Sequence, residues 1–177
     1  MGIELTWAVL AQALMLGLMN GAFYALLSLG LCITFGILDI VNFAHGAMYM
    51  MGAFVAWMLL SYLGIGFWPA LVIAPVVVGL FGIAIERTMV ARLYGLHHIY
   101  GLLLTFGMAR VIEGMFRIRF SVSGQRYPVP ELLRGGVDLG FIFMPIYRLS
   151  VIVASLAICI GIWLAINKTR LGSYLRA

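Results

Sequence analysis

Long apolar runs alternate with short polar interruptions along this chain. A helix needs about 20 predominantly apolar residues to cross the roughly 30 Å hydrocarbon core of a bilayer, and five runs approach or exceed that length. The pattern predicts spans at 8–37, 46–65, 67–85, 99–116 and 148–166. The sequence therefore predicts an all-α, polytopic integral membrane helical bundle with about five transmembrane helices, organised as a single transmembrane domain over residues 1–177.

A polar interruption near 38–46 separates the first two spans. It contains Asp39, Asn42 and His45 but no basic residue, and apolar sequence lies on both sides of it. We expect this broken segment to stay near membrane depth. It must then be buried in protein or line a wet cavity, because lipid cannot satisfy free backbone N–H and C=O groups. Asp39 or Asn42 is expected to cap a helix that begins just before His45.

Two interpretations of this interruption stay open. With that helix start, Asn42, His45 and Tyr49 recur at i, i+3 and i+7 and share one face. The helix N-terminus would then point into the membrane, where its N–H groups and dipole favour a substrate carboxylate. Alternatively, Asn42 only caps the helix and His45 bonds a neighbouring carbonyl, which holds the break in shape. Asp39 is a candidate functional residue because intramembrane carboxylates are costly, unless it serves as a cap or lies at the interface.

Two spans carry polar residues in helical register. Asn20, Tyr24 and Ser28 fall at i, i+4 and i+8 in the first span, so this face should point inward, either to line a translocation path or to make interhelical hydrogen bonds. Arg110 and Glu113 lie at i and i+3 in the fourth span, where they are expected to form an intramembrane ion pair. With the two arginines that follow, they could instead mark an interface where long side chains reach water.

The amino-acid composition indicates a protein that is surrounded by lipid. The 177 residues are 64% hydrophobic and 10% charged, with a mean hydropathy of +1.12, which excludes an ordinary soluble domain. The net charge of +5 comes from basic residues scattered singly between apolar runs, so a nucleic-acid partner is not expected. Cys32 and Cys159 have no metal-type spacing and are interpreted as packing residues.

Basic residues also predict the orientation. The segments 86–98 and 167–177 are basic and are expected on the cytoplasmic side. The segment 117–147 is basic too, but a single crossing on each side of it would place it on the opposite face of the membrane. Its prolines and glycines predict turns, with a short hairpin or helix.

The segment 29–46 carries a resemblance to a known family. Its Asn42–Gly46 core, Asn-Phe-Ala-His-Gly, follows a glycine-containing apolar helix and resembles the signature of the LivH family of branched-chain amino acid ABC importer permeases. Further fragments fit the same family: Asn20-Gly21, Tyr24-Ala25-Leu26, Tyr49-Met50, Gly52-Ala53 and Ile85-Glu86-Arg87. Near the C-terminus, Thr169–Gly172 followed by Arg176-Ala177 is similar to the family's entry into its cytoplasmic coupling loop.

The resemblance implies a membrane-spanning permease subunit in the bacterial inner membrane, importing branched-chain or related amino acids, or amides such as urea. It implies as partners a second permease subunit, ATP-binding cassette subunits and an extracytoplasmic substrate-binding protein. Arg170, Gly172 and Arg176 would face the ATPase. ATP would be used by partner subunits, since this chain has no Gly-x-x-x-x-Gly-Lys-Ser/Thr motif, and no cofactor is expected on this chain.

Length and chemistry leave two alternatives. Members of this family continue beyond the point that matches Ala177, so the chain is expected to be a fragment, a truncated permease that does not transport, or a half completed by another chain. The other alternative is an intramembrane enzyme that uses His45 with Asp39 or Asn42. The sequence has no Gly-x-Ser-x-Gly or His-Glu-x-x-His motif to support it.

Overall fold

Five long helices dominate the structure. It is a computed structural model that describes residues 7–38, 42–93, 95–121, 124–138 and 143–168. The helices are α1 (Trp7–Leu38), α2 (His45–Leu63), α3 (Phe67–Thr88), α4 (Ile99–Phe120) and α5 (Ile146–Lys168). All five are long and apolar enough to cross a membrane. The prediction of an all-α, polytopic bundle of about five spans is therefore confirmed.

The short elements lie outside these helices. Residues Val90–Leu93 and Glu131–Leu133 form 3₁₀ helices, and strands β1 (Gly136–Asp138) and β2 (Phe143–Pro145) pair antiparallel. The segment predicted to contain a hairpin or a helix between the last two spans thus contains both. Gly135, with φ +122°, turns the chain into β1, and its carbonyl accepts the N–H of Ile146 at 3.1 Å, at the start of α5.

The chain divides into two compact units. The first comprises Met1–Ile33 and Val129–Ala177, and the second comprises Thr34–Pro128. Every described side chain of α1 retains some exposed surface, and none is buried. The single domain predicted over 1–177 stays a prediction.

In the second unit, α2 packs against both α3 and α4. Gly52 lies at the contact with α3, where an added Cβ would be in ordinary van der Waals contact with Cγ2 of Val78, at 3.8 Å. At the other contact, Phe54 of α2 lies against Phe116 and Phe120 of α4, with ring centroids 4.9 and 5.0 Å away. Such aromatic contacts stabilise a helix pair beyond the area they bury.

The outward surface of α3 is apolar. Its exposed side chains in mid-helix include Val76, Leu80 and Ile83, and Gly79 is exposed beside them. No charged side chain lies on α3 before Glu86, near its end. A helix surface of this composition suits direct contact with lipid tails.

Candidate functional site

The candidate site is built around residues Asn42–Ala44, here called the break segment, which leads into α2. α1 ends at Leu38 and α2 begins at His45, so the helix is interrupted where the sequence predicts it. The side chain of Asn42 shapes the turn, because its Oδ1 accepts the N–H of Ala44 at 2.9 Å and its carbonyl accepts the N–H of His45 at 3.3 Å. This local bonding favours a turn over continued helix.

Thr105 of α4 holds the break segment from the side. Its Oγ1 accepts the N–H of Phe43 at 3.3 Å, and it lies 3.0 Å from the carbonyl oxygen of Gly101 and 3.1 Å from that of Leu102, to which its proton can be donated. The side chain is 3% exposed. Because Thr105 is six residues beyond Ile99, the break segment lies level with a point about 9 Å into α4. An otherwise unpaired backbone N–H is thereby satisfied inside the span.

Small side chains bring the start of α2 close to α4. Ala44 and Ala47 are 0% and 2% exposed, and they form one cluster with Ala109 and Ile112 of α4. Small residues at a membrane helix contact let the two backbones approach closely, where dispersion and weak polar contacts stabilise the pair. The break segment therefore lies next to a tightly packed contact between α2 and α4.

Replacing Thr105 with valine tests this arrangement. The substitution keeps the shape of the side chain but removes the acceptor for Phe43 N–H, so we expect the free energy of unfolding to fall by about 1 to 3 kcal/mol. The measurement is the thermal aggregation midpoint of the detergent-solubilised protein. Thr88→Val is the matched control, since the Thr88 hydroxyl bonds only its own helix at Ala84 and Ile85. Equal shifts for both variants would contradict a special role for Thr105.

Next to the contact with α2, the surface of α4 carries a charged stripe, defined here as Phe106, Arg110 and Glu113. Nη1 of Arg110 donates to Oε2 of Glu113 at 3.0 Å, and the guanidinium lies 5.2 Å from the centroid of the Phe106 ring. Phe43 of the break segment meets Phe106 edge to face, with centroids 6.4 Å apart at 87°. The Arg110 and Glu113 side chains are 66% and 39% exposed. Phe106 thus contacts both the break segment, through Phe43, and the ion pair, through Arg110.

The remaining predicted residues have different surroundings. His45 is half-buried and Tyr49 is 52% exposed, one turn apart on α2, whereas Asn42 precedes the helix and does not share its register. On α1, Asn20, Tyr24 and Ser28 are all exposed. The Ser28 hydroxyl donates to the Ala25 carbonyl of its own helix at 3.0 Å.

Four predicted residues lie outside the part of the chain that the structure describes, namely Asp39, Arg170, Gly172 and Arg176. Within the described part, no group of three or more His, Cys, Asp or Glu side chains is arranged to hold a metal ion. Sequence reasoning missed Thr105. The signal available was a hydroxyl residue inside an otherwise apolar run, which in a membrane helix calls for a hydrogen-bond acceptor or donor nearby.

Comparison with known proteins shows the family to which this chain is similar. A family model described as "Branched-chain amino acid transport system / permease component" matches residues 13–177. The high-affinity branched-chain amino acid transport system permease protein BraD of Pseudomonas aeruginosa is 28% identical over 179 residues, 94% of this chain and 58% of BraD. The LivH permease protein of Escherichia coli is 28% identical over 136 residues, 70% of this chain and 42% of LivH.

The LivH permease protein of Salmonella typhimurium is similar to the same extent, at 27% identity over 136 residues. The chain therefore spans 58% of the length of BraD and 42% of the length of the LivH proteins. No solved structure matches the chain.

Proposed function

Because this chain belongs to the family of permease components of branched-chain amino acid transport systems, we propose that it lines part of the translocation pathway of an ATP-driven amino acid importer. It is a multi-pass protein of the cell membrane with five apolar helices, and a permease component of this family is not an enzyme. The proposed substrates are branched-chain or related amino acids. The names of the BraD and LivH relatives support this class.

The break segment is the observation that carries the proposal. It starts α2 beside the interior of α4, about 9 Å past the beginning of that helix by the rise per residue. N–H groups in the first turn of a helix lack intrahelical partners, and the dipole there favours an anion. An amino acid substrate supplies a carboxylate. Half-buried His45 lies at this helix end and is proposed to face the passing substrate.

The proposed partners are a second permease subunit, ATP-binding cassette subunits and an extracytoplasmic substrate-binding protein. ATP is used by the cassette subunits in this proposal, because the sequence contains no phosphate-binding loop motif. None of the described side chains of α1 is buried, which supports a need for further subunits or lipid around this chain. The basic segments 86–98 and 167–177 are proposed to face the cytoplasm, where Arg170, Gly172 and Arg176 would meet the ATPase.

Uptake of radiolabelled leucine, isoleucine and valine tests the proposal. Cells that lack their own importer of this class would produce the chain with the partner subunits of the BraD system, both as it stands and with the rest of BraD fused after Ala177. We expect branched-chain amino acid uptake, dependent on the ATPase, in at least one of the two arrangements. Urea serves as the competing substrate.

Each result has a consequence for the proposal. Uptake that disappears when the ATPase is inactivated supports the permease function, and preference for urea over leucine would contradict the amino acid class. Absence of uptake in both arrangements, with all subunits present in the membrane, would contradict the function itself. If uptake is observed, the uptake rate of His45→Ala would be compared with that of Ala53→Gly. Ala53 is an exposed position on the same helix, and its side chain makes no polar contact.

A further inference from the structure

The charged stripe lies near the middle of its helix. Arg110 is 11 residues from Ile99 and 10 from Phe120, which places it about 16 Å from one end of α4 and about 15 Å from the other. Charges at such a depth are costly in hydrocarbon and face a protein interior or a water-filled cavity. In the described part of α4, the stripe is therefore expected to face protein or water and not lipid.

The stripe lies beside the packed side of α4 and stays exposed. Thr105, Ala109 and Ile112 are buried toward α2, whereas Phe106 and Arg110 are exposed, about a quarter and a third of a turn away around the helix. The outward surface of α3, by contrast, is apolar around Gly79. Two outward surfaces of one unit thus differ in chemistry, one suited to lipid and the other to water or to a polar partner.

We propose that Arg110 and Glu113 bind the carboxylate and ammonium groups of a free amino acid in the pathway, with Phe43 and Phe106 contacting its apolar side chain. This inference rests on the proposed function and names the substrate contacts within it. The ion pair at 3.0 Å joins one guanidinium nitrogen to one carboxylate oxygen. A guanidinium has five N–H donors and a carboxylate two acceptor oxygens, so both groups retain capacity to bind a zwitterion.

The neighbouring aromatic rings are suited to contact the apolar side chain of the amino acid. Phe106 lies under the Arg110 guanidinium, and Phe43, itself 56% exposed, packs against Phe106 at nearly a right angle. An arginine supported by a ring is pre-oriented for two parallel bonds to a carboxylate. A branched aliphatic side chain on the same ligand would cover the exposed edge of Phe43. The site distinguishes an amino acid from its analogue lacking the ammonium group through Glu113.

Thiol labelling tests whether the stripe faces water and substrate. Gly107 lies one turn before Arg110, and Gly79 lies on the apolar surface of α3; an added Cβ meets nothing within 4 Å at either position. Gly107→Cys and its matched control Gly79→Cys would be made with Cys32 and Cys159 replaced by serine. The assembled importer in membranes is then treated with a charged, membrane-impermeant methanethiosulfonate reagent.

We expect Gly107→Cys to react several times faster than Gly79→Cys, and millimolar leucine to slow that reaction. 4-Methylpentanoate, which lacks the ammonium group of leucine, should protect much less. Equal labelling at the two positions, or labelling that leucine does not change, would overturn the inference. Protection by both compounds alike would overturn the role of Glu113 as the ammonium contact.

Uptake by a doubly neutral variant separates substrate binding from a purely structural ion pair. In Arg110→Met/Glu113→Leu both charges are absent, so no unpaired charge is left in the membrane. We expect the variant to co-purify with its partner subunits while leucine uptake falls roughly tenfold or more, as when charge-assisted bonds to a substrate are lost. Arg119→Met is the control, since Arg119 also lies over a ring, that of Phe120, at 5.6 Å but near the helix end.

The outcomes are distinguishable from failure of the permease function itself. Leucine uptake by the unsubstituted importer together with unchanged uptake by the assembled double variant would overturn this inference and leave the permease function standing. Absence of uptake by the unsubstituted importer would remove the function on which the inference rests. If the double variant does not assemble, leucine protection at Gly107→Cys decides the inference.

Discussion

Replacing Glu113 alone with leucine is expected to prevent this chain from accumulating in the membrane. The substitution leaves Arg110 without its partner 3.0 Å away, near the middle of α4. While the single chain inserts, before any partner or water-filled pathway surrounds Arg110, an unpaired arginine at the centre of a span costs about 3 kcal/mol on insertion scales. Removing one member of an ion pair is more damaging than removing both, so the doubly neutral variant Arg110→Met/Glu113→Leu should accumulate to a higher level.

The measurement is the amount of the chain in purified membranes and the fraction that co-purifies with a tagged subunit of the proposed ATPase. Arg119→Met provides the control for loss of a charge near the end of the same helix, where the side chain can reach water. Normal accumulation of Glu113→Leu would contradict the mid-span position of the pair. Equal loss in the single and the double variant would contradict charge pairing as the cause.

Replacing Ala47 with leucine is expected to have the second large effect. Ala47 is 2% exposed in the cluster it forms with Ala44, Ala109 and Ile112, so a larger side chain must separate α2 from α4. Overpacking of this kind typically lowers the free energy of unfolding by about 1 to 3 kcal/mol. The separation would also move the break segment away from Thr105 and weaken its hydrogen bond to Phe43 N–H.

The thermal aggregation midpoint in detergent checks this prediction, together with leucine uptake. Ala53→Leu is the matched control because Ala53 lies on the same helix with an exposed side chain. We expect the midpoint to fall for Ala47→Leu and to stay close to the unsubstituted value for Ala53→Leu. A fall for both variants alike would indicate that packing at the start of α2 is not specifically sensitive.

The spans were predictable because a single physical length, the hydrocarbon thickness, sets them. The predicted ends agree with the helices to within four residues, the largest difference being at α4, predicted to end at 116 and observed to end at Phe120. Arg117 and Arg119 end the apolar run before the last turn of α4, although the helical backbone continues to Phe120. Charged side chains long enough to reach the interface extend a helix beyond its apolar run.

The arrangement of the candidate site was only partly predictable. The spacing of Arg110 and Glu113 along a helix predicts their proximity, because residues three apart are neighbours. That Thr105 meets Phe43, however, depends on which helices pack together and in what register, and neither follows from periodicity within one span. Whether Asn42 shares a helix face with His45 depends on where the helix begins. In the structure Asn42 forms a turn before α2, so it lies outside the helix.

The bond from Phe43 N–H to Thr105 has a mechanical consequence. It ties the start of α2 to the interior of α4, and the alanine cluster beside it and the Phe54 contacts farther along fasten the same two helices at three levels. We therefore expect a displacement of α4 to carry α2 with it, so that the two helices move together. Because α2 also packs against α3, a hinge for the proposed transport cycle is expected outside these three helices.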